Sequence, residues 1–321
     1  MRKEGGWILA MVFRRFQRVL TGIEITARVF KAVQVIKEGK GWKLLGYVSL
    51  PFPEDTIKLS YKTANINDPE EFLKIVKEGM ETLAFKVSRV GLSIPSEVVK
   101  VSVQKFLELP SKSRDIEKMI AWWARKSLPF LVEKAKIAYC PLAPSQRTGK
   151  ELLVAIGFLD VLREYELNLN ELKISAEVVR PASINLFNFY SERIPAKGVV
   201  AFLGLLENYF ALLVFEDSKL LFYHGVRRGF SDIHFFQDVE MTLHLYHTEN
   251  PKNPIDVLYF VTQAGFRRQL EEGLKSFEDI RVFYVDPEQI IIPDPSLIKA
   301  GKKVDLGKYA SAVGAAQSLM D

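Results

Sequence analysis

The 321 residues hold 44 Lys and Arg against 39 Asp and Glu, a net charge of +5, and 48% of them are hydrophobic. That balance is of a globular chain long enough for two cores, and a lone cysteine, Cys140, excludes a disulfide framework and fits a reducing compartment. Ten of the basic residues but only three acidic ones fall within residues 1–50, so the basicity is local. It suits an anionic membrane surface ahead of nucleic acid.

In chain order, residues 1–20 read as a basic amphipathic arm. WILAMVF, from Trp7, is followed by Arg14 and Arg15 without a small-residue cleavage site, unlike a signal peptide. From Met11, Val12, Phe13 and Phe16 interleave with Arg14, Arg15 and Arg18, which suits a short interfacial helix. A first domain over 21–197 opens with strands Gly22–Ile25, Val29–Ile36 and Trp42–Ser49. A helix follows in which Asp68 caps, Pro69 takes the first position, and Phe72, Val76, Met80 and Leu83 form the buried stripe.

An inserted strand-helix-strand-strand unit is placed at about 90–158. Its first strand, over 97–109, turns Val99, Val101, Val103, Leu107 and Leu109 one way and Ser102, Gln104 and Phe106 the other. Its helix, about 115–128, buries Ile116, Met119, Ile120 and Trp123 and leaves Trp122 off the stripe. A helix at 160–169, a strand at 176–180 and a helix at 182–190 close the domain. SERIPAKG, residues 191–198, breaks the pattern. The second domain, 198–321, repeats the three-strand opening, with helices over 233–247 and 266–277 and strands over 257–261 and 281–285. A small-residue helix at 309–320 closes the chain and can pack on the first domain. The long apolar run from Val199 is broken by Glu207 and Asn208 and reads as a hairpin, so a soluble, cytoplasmic chain is expected.

Other candidate chemistry is thin. Cys140, in the apolar run KIAYCPL, reads as buried and inert. His244 and His247 stand three apart on one helix, but no third ligand is evident, so no metal is expected. Asp160, Glu164 and Glu166 read as a solvated helix face. RTGKE, near Arg147, lacks the flanking residues of a phosphate loop and reads as a hairpin turn. KMIAWWARK could stack on nucleic acid, but Trp123 is needed for the core, and a protein contact through Trp122 is preferred.

Taken together, these segments resemble the PilM family, actin-like cytoplasmic proteins of type IV pilus assembly related to the cell-division protein FtsA. GIEITARVFKAV resembles the family's first phosphate hairpin, usually GIDIGSSSIKAV, and VVAFLGLLENYFALLV stands where the second, typically LVDIGAGTTTLSV, belongs. LELPSKSRDIEKMIAWWARKSLPFLVEKAKIAY resembles the inserted subdomain, DVLYFVTQAG stands at the adenosine turn, and YASAVGAAQSL at the closing helix. The resemblance implies an actin-like (ribonuclease H-like) duplicated α/β fold with an inserted subdomain.

The departures are specific. Glu24 replaces the hairpin Asp, Thr26 the turn Gly, and Ala27 and Arg28 the small hydroxyl residues, while Lys31 stays. In the second hairpin Phe202 replaces the Asp and Leu206 a Gly, while Gly204 survives; of the third turn only Gly265 remains. Phosphate cradles need close backbone approach and a metal-organising carboxylate. Glu207 would face the phosphate, and like unit charges 4 Å apart repel by about 1 kcal/mol in water and about 4 at an effective dielectric of 20. Glu24, Thr26, Lys31, Gly204 and Gly265 are therefore read as a vestigial nucleotide site in a pseudo-ATPase without cofactor. ATP with Mg²⁺ and catalysis are the alternative, and a basic nucleic-acid binder is a third reading.

What the resemblance implies of function is a non-catalytic scaffold, peripheral to the inner membrane. Its partners would be the N-terminal cytoplasmic peptide of a PilN-like protein and the pilus platform. Ser102, Gln104, Phe106 and Trp122 are the expected peptide contacts, and Arg14, Arg15 and Arg18 the expected membrane contacts.

Overall fold

The computed structural model describes residues 18–142, 150–277, 280–298 and 303–320 of the chain. Arg14 and Arg15 of the expected arm, and residues 147–149 of the RTGKE turn, lie outside them; Lys150 and Glu151 are not turn residues but begin a strand, where Glu151 is buried.

The first half begins with an antiparallel meander, β1 (Leu20–Ile25), β2 (Val29–Glu38) and β3 (Gly41–Pro51), followed by helix α1 (Pro69–Glu81) and strand β4 (Arg89–Ile94). Helix α1 starts where Asp68 accepts the Glu71 N–H at 3.0 Å, which satisfies one of the donors a helix leaves open. It buries Phe72, Ile75 and Val76 against the sheet. The insert follows: β5 (Val99–Phe106), α2 (Ser113–Ala124), β6 (Ala135–Pro141) and β7 (Lys150–Phe158). Helix α3 (Leu159–Glu171), β8 (Ser175–Pro181) and α4 (Ala182–Tyr190) return the chain to the main sheet.

The second half repeats the plan with β9 (Val199–Leu205), β10 (Phe210–Glu216), β11 (Lys219–Val226), α5 (Phe235–Glu249), β12 (Val257–Val261), α6 (Arg267–Leu274) and β13 (Arg281–Tyr284). Strand order makes the duplication explicit. The large sheet runs β3-β2-β1-β4-β8 and the second β11-β10-β9-β12-β13, each an antiparallel hairpin pair followed by parallel strands. After the second half the chain crosses back. Strand β14 (Ile291–Pro293) adds in parallel to the edge at β3, and helix α7 (Ala310–Gln317) packs on β1, β4 and α4.

Helix α7 can lie this close because its neighbours lack side chains. A Cβ on Gly22 would stand 1.9 Å from the Ala312 carbonyl oxygen, and one on Gly91 1.8 Å from that of Ala315. The crossing is therefore backbone against backbone, with Ala310, Ala312, Val313 and Ala316 completely buried or nearly so.

Three expectations change. RVGLSI is not part of the insert but β4, a buried central strand, so the insert begins after Ile94. Cys140 is exposed, because β6 is an edge strand whose residues alternate between half-buried and exposed. Glu164 is no solvated residue either. Its carboxylate accepts the backbone N–H groups of Asn65 and Ile66 at 2.7 and 2.8 Å, and ties the loop after β3 to α3.

Candidate functional site

Two features lie between the halves: a cleft at the two hairpin turns and a groove beside the insert. In the cleft, antiparallel register sets Glu24 opposite Lys31, and their side chains form a buried ion pair at 3.1 Å. The charge of Lys31 is thus met inside the first sheet. Thr26, at the turn, accepts the Val29 N–H at 2.9 Å and donates its hydroxyl to Glu207 of the second hairpin turn at 3.0 Å. The two turns are joined directly, 181 residues apart in sequence. Leu206 donates its backbone N–H to the Tyr209 carbonyl at 2.8 Å, and at the third turn the Ala264 N–H is taken by the Asp305 carboxylate at 3.1 Å.

What remains of the cleft, between Glu24, Thr26, Glu97 and Glu207, is a cavity of about 30 Å³. That is room for a water molecule or two, against roughly 300–1,000 Å³ for a small-molecule pocket. Burial raises the Glu97 carboxyl above its usual range; Arg227 pulls it back and Glu207 pushes it further up. Behind the cleft runs a chain of buried hydroxyls: Ser96 to Ser183 at 3.0 Å, Ser183 to Tyr223 at 2.7 Å, and Tyr223 to Tyr209 at 3.4 Å. Gly204 lies within β9, paired with Ala211, where a Cβ would meet Leu186 at 2.9 Å, so it serves packing. Gly265 is exposed, and a Cβ added there would have nothing within 4 Å.

The groove is built from two strand edges. Strand β5 is the outer strand of the insert's sheet, order β5-β7-β6, and β11 is the outer strand of the second sheet. The two run beside each other, yet among the described residues no backbone hydrogen bond joins them. Between them lies a space of about 550 Å³ walled by consecutive residues of each, 102–105 and 221–224. Consecutive residues on a wall mean that the strand's edge faces it, since alternate side chains point to opposite faces. Val101 and Val103 pack on the core that contains Tyr223, and Glu151 of β7 forms a buried ion pair with Lys219 at the start of β11. At His224 and Leu245 the groove opens into a larger apolar concavity of about 1,020 Å³ along α5.

The groove thus brings Ser102 and Gln104 together. Phe106 and Trp122 lie elsewhere. Register places Ser102, Gln104 and Phe106 on the same face as Val154 and Leu152, the face that α2 covers, and the Phe106 ring stands edge-on to Trp123 with centroids 6.4 Å apart. Trp122 is 78% exposed on the outer side of α2. Period-two alternation identifies the faces of β5 but not which one the helix covers. His224 also lies on the groove wall, a position that no motif in the sequence signals; burial holds its ring below the usual pKa, and Glu249 opposes this. Among the described residues no cluster of three or more His, Cys, Asp or Glu side chains could hold a metal. No helix among them is long and apolar enough to cross a membrane. Arg18 is exposed just before β1.

No protein-family profile matches the chain, and no curated protein matches it. Solved structures do. A chain of the PilM–PilN type IV pilus biogenesis complex superposes with a TM-score of 0.79 at 16% identity, over 95% of this chain and 99% of that one. A Bacteroides thetaiotaomicron protein with actin-like ATPase fold and unknown function matches with a TM-score of 0.50 at 11% identity, over 94% and 98% of the two chains. This chain therefore has the actin-like fold, in the arrangement found in the pilus-biogenesis complex.

Proposed function

We propose that the protein is a non-catalytic scaffold of a type IV pilus or related secretion assembly, and that it binds the extended cytoplasmic N-terminal segment of a PilN-like inner-membrane protein. The observation that carries this reading is the groove between the outer edges of β5 and β11, which among the described residues no backbone hydrogen bond joins. An extended peptide can add to such an edge, gaining affinity from main-chain hydrogen bonds and selectivity from alternate side chains. Ser102 and Gln104 line one wall, Tyr223 and His224 the other, and the concavity beyond Leu245 can receive an apolar side chain. The likeness to a chain of the PilM–PilN complex supports the choice of partner. Such a partner would hold the protein at the inner membrane, with the basic arm, Arg14, Arg15 and Arg18, adding contact to anionic lipid.

The non-catalytic part of the reading rests on the cleft. Glu207 carries a negative charge to the joined turns, Lys31 is committed to Glu24, and the remaining cavity is far smaller than a nucleotide needs. Isothermal titration with Mg-ATP is expected to give no binding heat, and a micromolar dissociation constant would overturn the pseudo-ATPase reading. For the partner, the test is titration with a synthetic peptide of the N-terminal cytoplasmic segment of a PilN-like protein. N-methylation of alternate peptide amides should weaken binding about tenfold or more if main-chain bonds carry it. No binding by the unmodified peptide, or indifference to methylation at every position, would remove the strand-addition scaffold.

A further inference from the structure

The outer face of α2 carries a pattern that the peptide groove does not use. At 100° per residue, Arg114, Lys118, Trp122 and Arg125 fall within one narrow stripe, with Lys126 at its margin, and all five are exposed. The opposite side of the helix buries Ile116, Ile120 and Ala124 against the insert's sheet. Of the acidic residues on the helix, Asp115 pairs with Lys118 at 3.5 Å, itself an exposed contact, and Glu117 lies at the far flank. Trp122 is 78% exposed, and the connections entering and leaving the helix expose Leu107 at 93% and Leu131 at 70%. The insert as a whole, residues 97–158, holds eleven Lys and Arg against six Asp and Glu.

We infer that this face of α2 is a membrane-contact surface that takes an anionic bilayer. An amphipathic tryptophan prefers the headgroup level, where its ring is apolar and its N–H can be solvated. Lysine and arginine on the same face are drawn to the negative surface potential of anionic lipid. A helix whose other side is already anchored to a folded sheet presents this stripe with little further ordering, which lowers the entropy lost on contact. The stripe is separate from the β5–β11 groove, so the inference stands whether or not a PilN-like peptide binds.

The test uses the full chain and protein-free vesicles. Wild-type protein should co-float with phosphatidylglycerol–phosphatidylethanolamine vesicles more than with phosphatidylcholine vesicles. Arg114→Glu/Lys118→Glu should lower partition to the anionic vesicles about tenfold or more, since each basic residue near such a surface contributes about fivefold. In a Trp7→Phe background, which removes the arm's tryptophan, brominated lipid should quench the emission, and Trp122→Ala should abolish most of that quenching. These side chains are exposed, so thermal midpoints should be unchanged. Partition that is indifferent to the charge reversals, or quenching that survives Trp122→Ala, would overturn the membrane assignment and leave an acidic protein partner for this face.

Discussion

The halves of the molecule meet along two kinds of seam. At the closing helix and the cleft, α7 lies backbone to backbone on β1 and β4, and the hairpin turns are tied by Thr26 and Glu207. At the insert, β5 and β11 approach, but among the described residues no backbone hydrogen bond joins their edges and about 550 Å³ lies between them. Glycine and small residues close the first seam at α7, and the cleft beside it keeps only about 30 Å³. In the second, the buried pair Glu151–Lys219 fixes one end and the valines of β5 the floor, while among the described residues no backbone bond crosses from one edge to the other. An interface that is closed by close packing holds the fold; one whose backbone donors and acceptors remain available can accept a partner.

The largest effect should come from the cleft. Lys31→Ala strands the Glu24 carboxylate in a site where both side chains are almost fully buried. Breaking such a pair costs about 3–5 kcal/mol, whereas replacing both members with apolar residues can be neutral. Chemical denaturation of Lys31→Ala beside Glu24→Leu/Lys31→Leu checks this. A single mutant as stable as wild type would mean that the cleft has solvent access the buried pair does not suggest. The closing helix should respond next. Gly91→Ala places a methyl 1.8 Å from a carbonyl oxygen and should destabilise by about 3 kcal/mol, the upper part of the usual range for overpacking. Gly265→Ala, with open space around it, should stay within about 0.5 kcal/mol of wild type. Equal thermal midpoints for the two alanine variants would refute the tight seam.

The contrast between seams also explains what is legible in the sequence. Alternation and caps identify the opening hairpins, α1, the insert and the closing helix, and the hairpin resemblance points to the fold. Strand β4 escapes because RVGLSI is short, with Gly91 at its centre, and the reason for that glycine is a helix over 200 residues later. Strand β14, three residues long, has no periodicity to read. The loss of small residues from the hairpins is visible, but the substitute bonds are not: Thr26 to Glu207 and Ala264 to Asp305 connect residues brought together only by the fold. The groove's second wall, on β11, is unreadable for the same reason.

Phe106 ends the strand that forms one wall of the open seam, but its ring faces away from it. It is half-buried, packed edge-on to Trp123 beneath α2. Phe106→Ala should therefore lower the thermal midpoint, at about 2 kcal/mol, less than the roughly 3–5 of a fully buried phenylalanine. Peptide affinity of the folded fraction should change little, because the ring points into the insert's own core. Unchanged unfolding with a large loss of peptide affinity would instead make Phe106 the peptide anchor and place the binding surface on that face of β5.

The smallest and most diagnostic effect concerns pH at the closed seam. Burial raises the Glu97 carboxyl above the ordinary value of 4.5, and Glu207 adds to the rise. An acid whose pKa is higher in the folded state binds its proton more tightly there, so folding is disfavoured when that group is ionised. The penalty is present above the raised folded pKa. It is relieved as pH falls through that value, and is gone below the ordinary one. Glu97→Gln keeps a polar side chain of similar size but cannot ionise. It should raise the thermal midpoint at neutral and mildly alkaline pH, and the two proteins should converge as the pH approaches the ordinary carboxylate range. A constant difference at all pH values would mean that the amide's packing, rather than the buried charge, sets the change. A lower midpoint for Glu97→Gln at neutral pH would show that the ionised carboxylate is favoured there, with Arg227 outweighing burial and Glu207.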